Sequence, residues 1–462
     1  MTNFWAFNNW GSIILVSILF GSLLVGNMLK KGLPFLRNSL IPTSVLGGAV
    51  ILLLEAIYKA ISGVSFFDAR FWGGSAEANL EIITYHALAL GFIASSLKTS
   101  KNKFSKQRAS EIFNTGLTTV STYLLQGVCG LGITLIAAMV ITGFFPAAGV
   151  LLPFGYGQGT GQALNYGNIY ETEFGFAGGG SFGLTIAALG FLSAAFGGII
   201  HLNIMRRRGK LPLHKKEEIL RVEDVQADNE IPMQESVDKL TIQVSLIAVT
   251  YVLTYIFMLL LGNLLPGMRS TIFGFNFLLG VISATLVKAL ISFLKKTGML
   301  KKDYTNNFLL TRTSNFFFDL MVVAGIAAIR LDILERYWGM MLILGVVGLL
   351  ITYIYNRIVA KTLFKSYSEE QFLAMYGMLT GTASTGIILL REIDGNFDTP
   401  AADNLVYQNL PAIVFGFPML LLATLAPKQP VLTLGIFILL FIAINVLLFR
   451  SLIFRHRKKK DQ

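Results

Sequence analysis

The chain has 462 residues, 54% of them hydrophobic and only 14% charged, with a mean hydropathy of +0.64. Ordinary soluble domains are about a quarter charged, so that class is excluded. The formal net charge of +12 is gathered in short runs at the ends of apolar stretches. That pattern sets membrane topology and argues against nucleic-acid binding.

Apolar stretches of about 18 or more residues recur along the whole length, which predicts an all-α polytopic membrane protein. The ten-residue alternation of a membrane barrel is absent. Helix one covers roughly 11–28, and the charges Lys30, Lys31 and Arg37 follow it. A cleaved signal peptide would carry its charges first, so this is a membrane helix. Helices two, three and four fall near 41–62, 81–98 and 113–142. Next comes "GYGQGTGQALNYG", residues 155–167, with five glycines among amide and hydroxyl side chains. A fifth helix, about 176–204, ends in "RRRGK". The mixed-charge segment 205–240 reads as a solvated linker without a fold of its own. Four more helices fall near 241–263, 271–294, 306–329 and 337–358, followed by "YGMLTGTASTG" at 376–386. A tenth helix spans about 404–426, and an additional one about 430–454 precedes the tail "RHRKKK".

Basic runs follow helices one, three, five, seven and nine, and the last helix. The positive-inside rule then predicts an N-terminus outside and a cytoplasmic C-terminus, in a multi-pass plasma or inner membrane. Trp5, Trp10, Trp72 and Trp338 all land at the outer face, where interfacial aromatics belong. The count requires each glycine-rich stretch to enter and leave on one side. Non-helical backbone is tolerated at membrane depth only inside protein or beside a wet cavity, so both are expected to be re-entrant loops.

The two halves share an order of elements. "IPTSVLGG" precedes "GQGTGQA" by about as far as "FNFLLG" precedes "TGTASTG". Each half has four helices, a Gly/Thr-rich loop and a fifth helix, and the halves start on opposite sides. This predicts an inverted repeat: residues 1–204 with a loop at about 146–168, the 205–240 linker, and 241–426 with a loop at about 370–393. Residues 427–462 add one helix and a basic cytoplasmic tail. Such repeats characterise secondary transporters with a midplane site.

On "IPTSVLGG", "GQGTGQA", "FGLTIAALGFLSAAFGGII" and the second loop's Gly377, Gly381 and Thr385, the chain resembles the sodium/glutamate symporter family over roughly residues 11–426. The family pattern at the first loop is similar to Gly-His-Gly-Thr-Gly-Ala-Ala. Here it reads Gly157, Gln158, Gly159, Thr160, Gly161, Gln162 and Ala163, so Gln158 replaces the histidine and Gln162 an alanine. Ser384 stands where the family has proline. The resemblance implies five helices per half, a homodimer, Na⁺ coupling, glutamate or a related acid as solute, and elevator-like motion.

The residues themselves support a binding site. Glycines admit close backbone approach. A broken helix's N-terminus favours a carboxylate, and unwound carbonyls favour a cation. Gln158, Thr160, Gln162 and Asn165 add polar groups from one loop, and Thr380, Thr382, Ser384 and Thr385 from the other. A nucleotide loop is disfavoured, because "GYGQGT" puts Thr160 at the last required glycine and no strand precedes it. Asp319 lies mid-helix, and an intramembrane carboxylate is functional by default. Its plain alternative is a structural bridge to Arg312, seven residues earlier and on the same face. His86 reads first as a satisfied core histidine, with binding and proton relay as the alternatives. Glu55 and Lys288 follow Gly47 and Gly280 at the same spacing, and inverted topology sends them to opposite interfaces.

Cys129 cannot form an internal disulfide, and the scattered histidines fit no metal motif. No HExxH, paired-carboxylate or Ser/His arrangement points to an enzyme, and no cofactor is expected beyond Na⁺ as coupling ion. The expected function is cation-coupled symport of a small carboxylate such as glutamate by alternating access. Partners are then a small anionic solute, Na⁺ or H⁺, the lipid bilayer and a second copy of the chain. The alternatives are a proton-coupled or differently specific organic-anion or amino-acid carrier, and a channel.

Overall fold

The computed structural model describes residues 7–37, 41–67, 76–98, 106–209, 230–233, 237–266, 269–274, 276–394 and 399–453. The described residues are helical apart from turns and one isolated bridge. We number the main helices α1 (Phe7–Gly32), α2 (Thr43–Ser62), α3 (Ala76–Ser96), α4 (Lys106–Val140), α5 (Leu151–Phe174) and α6 (Gly179–Arg207) in the first part of the chain. The second part supplies α7 (Lys239–Leu264), α8 (Asn276–Lys296), α9 (Asn307–Ala327), α10 (Leu331–Leu363), α11 (Ser368–Thr380) and α12 (Ala383–Arg391). It ends in α13 (Ala401–Tyr407), α14 (Asn409–Leu425) and α15 (Pro430–Leu448).

Nine of the described helices are long and apolar enough to cross a membrane, so the chain is an α-helical polytopic membrane protein. The two expected crossings outside this set are α3, diluted by Glu81 and His86, and α14, which has 17 residues and continues from the short α13. Large apolar side chains such as Leu53, Leu260, Leu290, Ile354 and Leu439 are exposed, as lipid-facing residues should be. Trp10 and Trp338 are exposed as well, while Trp5 and Trp72 lie outside the described residues. Helix ends follow local chemistry. Asp238 caps α7 by accepting from the Leu240 N–H at 2.8 Å, Asn306 caps α9 by accepting from the Leu309 N–H at 2.7 Å, and Gly63 ends α2 at φ 75°.

The helices form two packed bodies. Helices α1, α2 and α3 pack with α7, α8 and α9. Helix α4 packs with α5, α10, α11, α14 and α15, and α6 packs with α5, α10 and α11. The first three helices of each half thus meet each other, and so do the later elements of each half. The additional helix α15 joins the second body. Phe437 is fully buried beside Gly127 of α4, and Asn445 donates to the Ser121 hydroxyl at 2.7 Å.

Two sequence expectations change. Helix four, expected at 113–142, begins at Lys106, because its polar first turns extend beyond the apolar core that hydropathy detects. The end of the linker is docked. Glu230 bridges to Asp303, accepts from the buried Lys239 ammonium at 2.8 Å and from Asn306 Nδ2 at 2.6 Å. Its charge is paired with protein, which composition alone could not show. Linker residues 210–229 and 234–236, and the tail after 453, lie outside the described residues.

Candidate functional site

Both glycine-rich stretches, expected as loops, are broken helices. Helix α5 is interrupted at Gly159, where φ is 78° and ψ is −171°. Only glycine adopts that backbone region readily. The chain folds back there. Phe154 stacks on Tyr166 with ring centroids 4.0 Å apart, and Phe145 packs on Tyr170 at 5.5 Å. A continuous helix would hold residues 154 and 166 about 18 Å apart. The arms Leu151–Gln158 and Thr160–Phe174 therefore form a helical hairpin. It is pressed into α6 through small residues: a β-carbon at Gly167 would run into the Gly179 carbonyl oxygen. Small residues at such contacts are what membrane helix packing uses for close approach.

The second hairpin is α11 and α12, with its tip at Gly381 and Thr382. Its arms touch at Gly377 and Gly386, where a β-carbon on Gly377 would stand 2.7 Å from the Gly386 Cα. Thr382 caps α12, its hydroxyl accepting from the Thr385 N–H at 3.4 Å and lying 3.3 Å from the Thr385 hydroxyl. Each hairpin base is held by an Arg–Glu pair. Arg330 donates to Glu171 at 2.8 Å in the first. Arg357 grips both Glu369 oxygens, at 2.5 and 2.6 Å, in the second. Glu369 also meets His201 Nε2 at 2.9 Å.

The two tips meet. A β-carbon at Gly159 would lie 3.3 Å from the Thr382 methyl, 3.6 Å from Met321 Cε and 3.7 Å from the Gly381 carbonyl oxygen. They face a cavity of about 130 Å³ between the two bodies. Its polar lining comes from Ser95, Tyr123, Gln158, Thr382 and Asn409, and its apolar walls include Phe92 and Phe318. Among the described residues no charged side chain lines it. Among the described residues no group of three or more His, Cys, Asp or Glu could hold a metal ion.

The candidate residues divide by position. Gly157, Gln158 and Thr382 line the cavity, with Gly159 and Gly381 at the tips. The Gly157 carbonyl accepts from the Tyr123 hydroxyl at 2.9 Å. Thr160 is buried and donates to the Met321 carbonyl at 3.2 Å, and Gly161 abuts Leu88. Both contacts join the first hairpin to the first body. Gln162 accepts from Asn165 at 2.9 Å, and Asn165 also donates to the Gly274 carbonyl. These amides thus serve the seam between the bodies. Thr380 is buried and turned back to the Tyr376 carbonyl at 2.6 Å. Ser384 lies in the first turn of α12, and its side chain is outside the described residues.

Asp319 is not brought to the tips. Its neighbours Phe318 and Met321 line the cavity, while Asp319 is exposed on another face of α9, beside Ser44. Successive helical residues rotate by about 100°, so 319 and 321 point nearly opposite ways. Arg312 lies over the Phe308 ring at 5.1 Å, and no described ion pair joins it to Asp319. His86 is exposed and its Nδ1 sits 2.6 Å from the Tyr251 hydroxyl. Glu55 is buried and accepts from the Phe66 N–H at 2.9 Å, and Lys288 donates to the Lys98 carbonyl at 3.0 Å.

Sequence reasoning missed Tyr123 and Asn409. Tyr123 sits in "TTVSTYLLQG", whose hydroxyls at helical spacing in an apolar run mark an inward polar face. Comparison with known proteins finds no family model that matches the chain and no curated protein similar to it.

Proposed function

We propose that the protein is a secondary active transporter of the sodium/glutamate symporter type, which moves a small carboxylate such as glutamate together with Na⁺. One observation carries this reading: two broken helices from corresponding positions in the chain touch tip to tip on a small cavity between two packed bodies. In this reading the halves are inverted repeats, and the hairpins enter the membrane from opposite faces. The N-terminus lies outside, and two copies associate.

The cavity's neutral lining assigns the charge work to backbone. The amino ends of α12 and of the arm beginning at Thr160 point partial positive charge towards the tips and suit a carboxylate. The carbonyl ends of α11 and of the arm ending at Gln158 suit a cation. A buried charge needs such partners, because desolvation otherwise costs several kcal/mol. Sliding of the second body against the first would carry both tips, and the solute between them, past the hairpin seam. The test is uptake into proteoliposomes of labelled acids and neutral amino acids, with Na⁺, K⁺ and proton gradients imposed separately. Concentrative uptake of an acid driven by Na⁺ supports the reading. Non-saturable flux through an open pathway, or uptake indifferent to every gradient, refutes it.

A further inference from the structure

We infer that the cavity takes an acid whose only negative charge is one carboxylate and whose body is apolar, such as a branched or aromatic amino acid or its keto acid. This selectivity rests on the transporter reading and narrows its solute. It follows from the way polar and apolar groups are divided between the two bodies. Among the described residues, four of the five polar side chains in the lining, Tyr123, Gln158, Thr382 and Asn409, belong to the second body, and only Ser95 comes from the first. The first body instead presents Phe92 from α3, Phe277 from α8 and Phe318 from α9.

The three rings form one surface. The Phe92 ring centroid lies 5.2 Å from that of Phe277 and 5.5 Å from that of Phe318, the second pair edge to face. Tilted and edge-to-face contacts are the ones aromatic rings favour. Gly91 makes room for the arrangement, since a β-carbon there would stand 2.6 Å from the Phe318 ring. Leu88 and Met321, both buried, extend the wall on the same body. Met378 and Ile413 carry apolar surface across to the second body, beside the polar groups.

A solute across this cavity meets two chemistries. One end faces the hairpin tips, where helix ends and neutral donors suit a single carboxylate. Asn409 Oδ1 accepts from Gln408 Nε2 at 3.1 Å, leaving its Nδ2 to donate. An α-ammonium sits on the carbon next to the carboxylate, within reach of the same tips and their carbonyl ends, so amino and keto acids share this chemistry. The other end faces rings and aliphatic groups. Glutamate or aspartate would bring a second carboxylate there, and a buried charge without a partner is strongly disfavoured. Lys98 follows Ser95 by three residues, but it is not part of the lining. An apolar side chain needs no partner and gains by leaving water. One methylene in such a pocket discriminates by about 10–200-fold.

The test reads binding and transport separately. The melting temperature of the purified protein in detergent and NaCl is followed on titration with leucine, phenylalanine, the 2-keto acid of each, alanine, glutamate and aspartate, since a ligand of the folded state raises it. Leucine, phenylalanine or their keto acids should act at concentrations at least about tenfold below those needed for glutamate, aspartate or alanine. The amino and keto arms tell which source supplies the ligand. Phe92→Ala and Phe318→Ala should raise the half-effective concentration of the apolar acids about tenfold or more. Thr382→Ala, at the polar end, should weaken every acid alike. The wild-type panel decides by itself where the alanine variants fail to fold. Glutamate or aspartate binding as tightly as the apolar acids overturns the proposal, and Na⁺-driven uptake of either leaves symport standing. Phenylalanine variants that weaken all acids equally overturn it too, by reducing the wall to scaffold. Apolar acids bound selectively but never taken up would keep the proposal and remove the transporter reading. Neither binding nor uptake of any acid overturns both.

Discussion

Gly159 and Thr382 come from opposite halves of the chain, yet a β-carbon on the glycine would stand 3.3 Å from the threonine methyl. The space at Gly159 is tight but not closed. What bars a side chain there is the backbone, at φ 78° and ψ −171°. Holding a non-glycine residue in such a region costs about 1–3 kcal/mol. Gly159→Ala is therefore expected to lower thermal stability by that amount as well as uptake. Gly381 is a cleaner probe of crowding, because its φ is −152°. A β-carbon there meets Thr385 Oγ1 at 2.9 Å and Phe191 at 3.0 Å. Gly381→Ala should displace the Thr382 cap and reduce uptake with a smaller loss of melting temperature than Gly159→Ala. The opposite ranking in a melting assay would contradict this account of the tips.

The fold-back of the first hairpin rests on Phe154 and Tyr166, both fully buried and stacked at 4.0 Å. Phe154→Ala should cost about 3–5 kcal/mol, the range for truncating a buried aromatic. The Tyr166 hydroxyl donates to the Leu420 carbonyl at 2.8 Å. Tyr166→Phe keeps the stack and removes that one bond, for about 0.5–1.5 kcal/mol. Denaturation of the two variants in a fixed detergent checks the ratio. Equal losses would mean that the stack is incidental.

The ion pairs allow a comparison within one chain. Arg357 holds Glu369 with two short bonds, and the two side chains are 14% and 15% exposed. Removing one partner of a fully buried pair costs about 3–5 kcal/mol, and partial exposure here lowers that expectation to roughly 1–3 kcal/mol. Arg312 is exposed and rests on Phe308. Its removal should change stability by less than about 1 kcal/mol. Arg357→Ala should therefore melt well below Arg312→Ala, and the reverse order would remove the Arg357–Glu369 pair as the anchor of the second hairpin.

The helical class was legible because lipid imposes it, and so were the places where helices break. "GYGQGTGQALNYG" drew attention by its glycines, and the interruption lies within it. Which glycine breaks the helix was not legible, since Gly155, Gly157, Gly161 and Gly167 instead permit close contacts with α6, Tyr123, Leu88 and α6 again. Nor was the helicity of the arms, because glycine lowers helix propensity while packing restores it. Asp319 drew attention by its charge, but facing direction depends on the helix's neighbours. The cavity walls Phe92, Phe318 and Asn409 come from three separate helices. No local pattern could have joined them.

Asp319 itself supplies a prediction. Its carboxylate is hydrogen-bonded to the buried Ser44 and does not line the cavity. Asp319→Asn keeps an oxygen that can accept from Ser44 and should cost no more than about 0.5–1.5 kcal/mol, the worth of one hydrogen bond. Solute affinity should be unchanged. An affinity shift of about tenfold, equal to roughly 1.4 kcal/mol, would bring Asp319 into the mechanism.

The last prediction concerns Gln158 and Thr382, which line one cavity from two hairpins far apart in sequence. Cys129 is the chain's sole cysteine, so a Cys129→Ala background is free of competing thiols. In that background the double variant Gln158→Cys with Thr382→Cys should be bridged by a short bifunctional thiol reagent, and each single variant should not. The bridge spans two segments, so protease cleavage in the 205–240 linker followed by denaturing electrophoresis reads it directly. Crosslinked protein stays as one band and uncrosslinked protein splits into two. Saturating solute, identified from the uptake panel, should slow the reaction by occupying the cavity, and an unrelated solute of equal charge should not. Bridging that solute does not slow would keep the tips together but move binding elsewhere. Failure to bridge with every short reagent would separate the tips, and the proposed site with them.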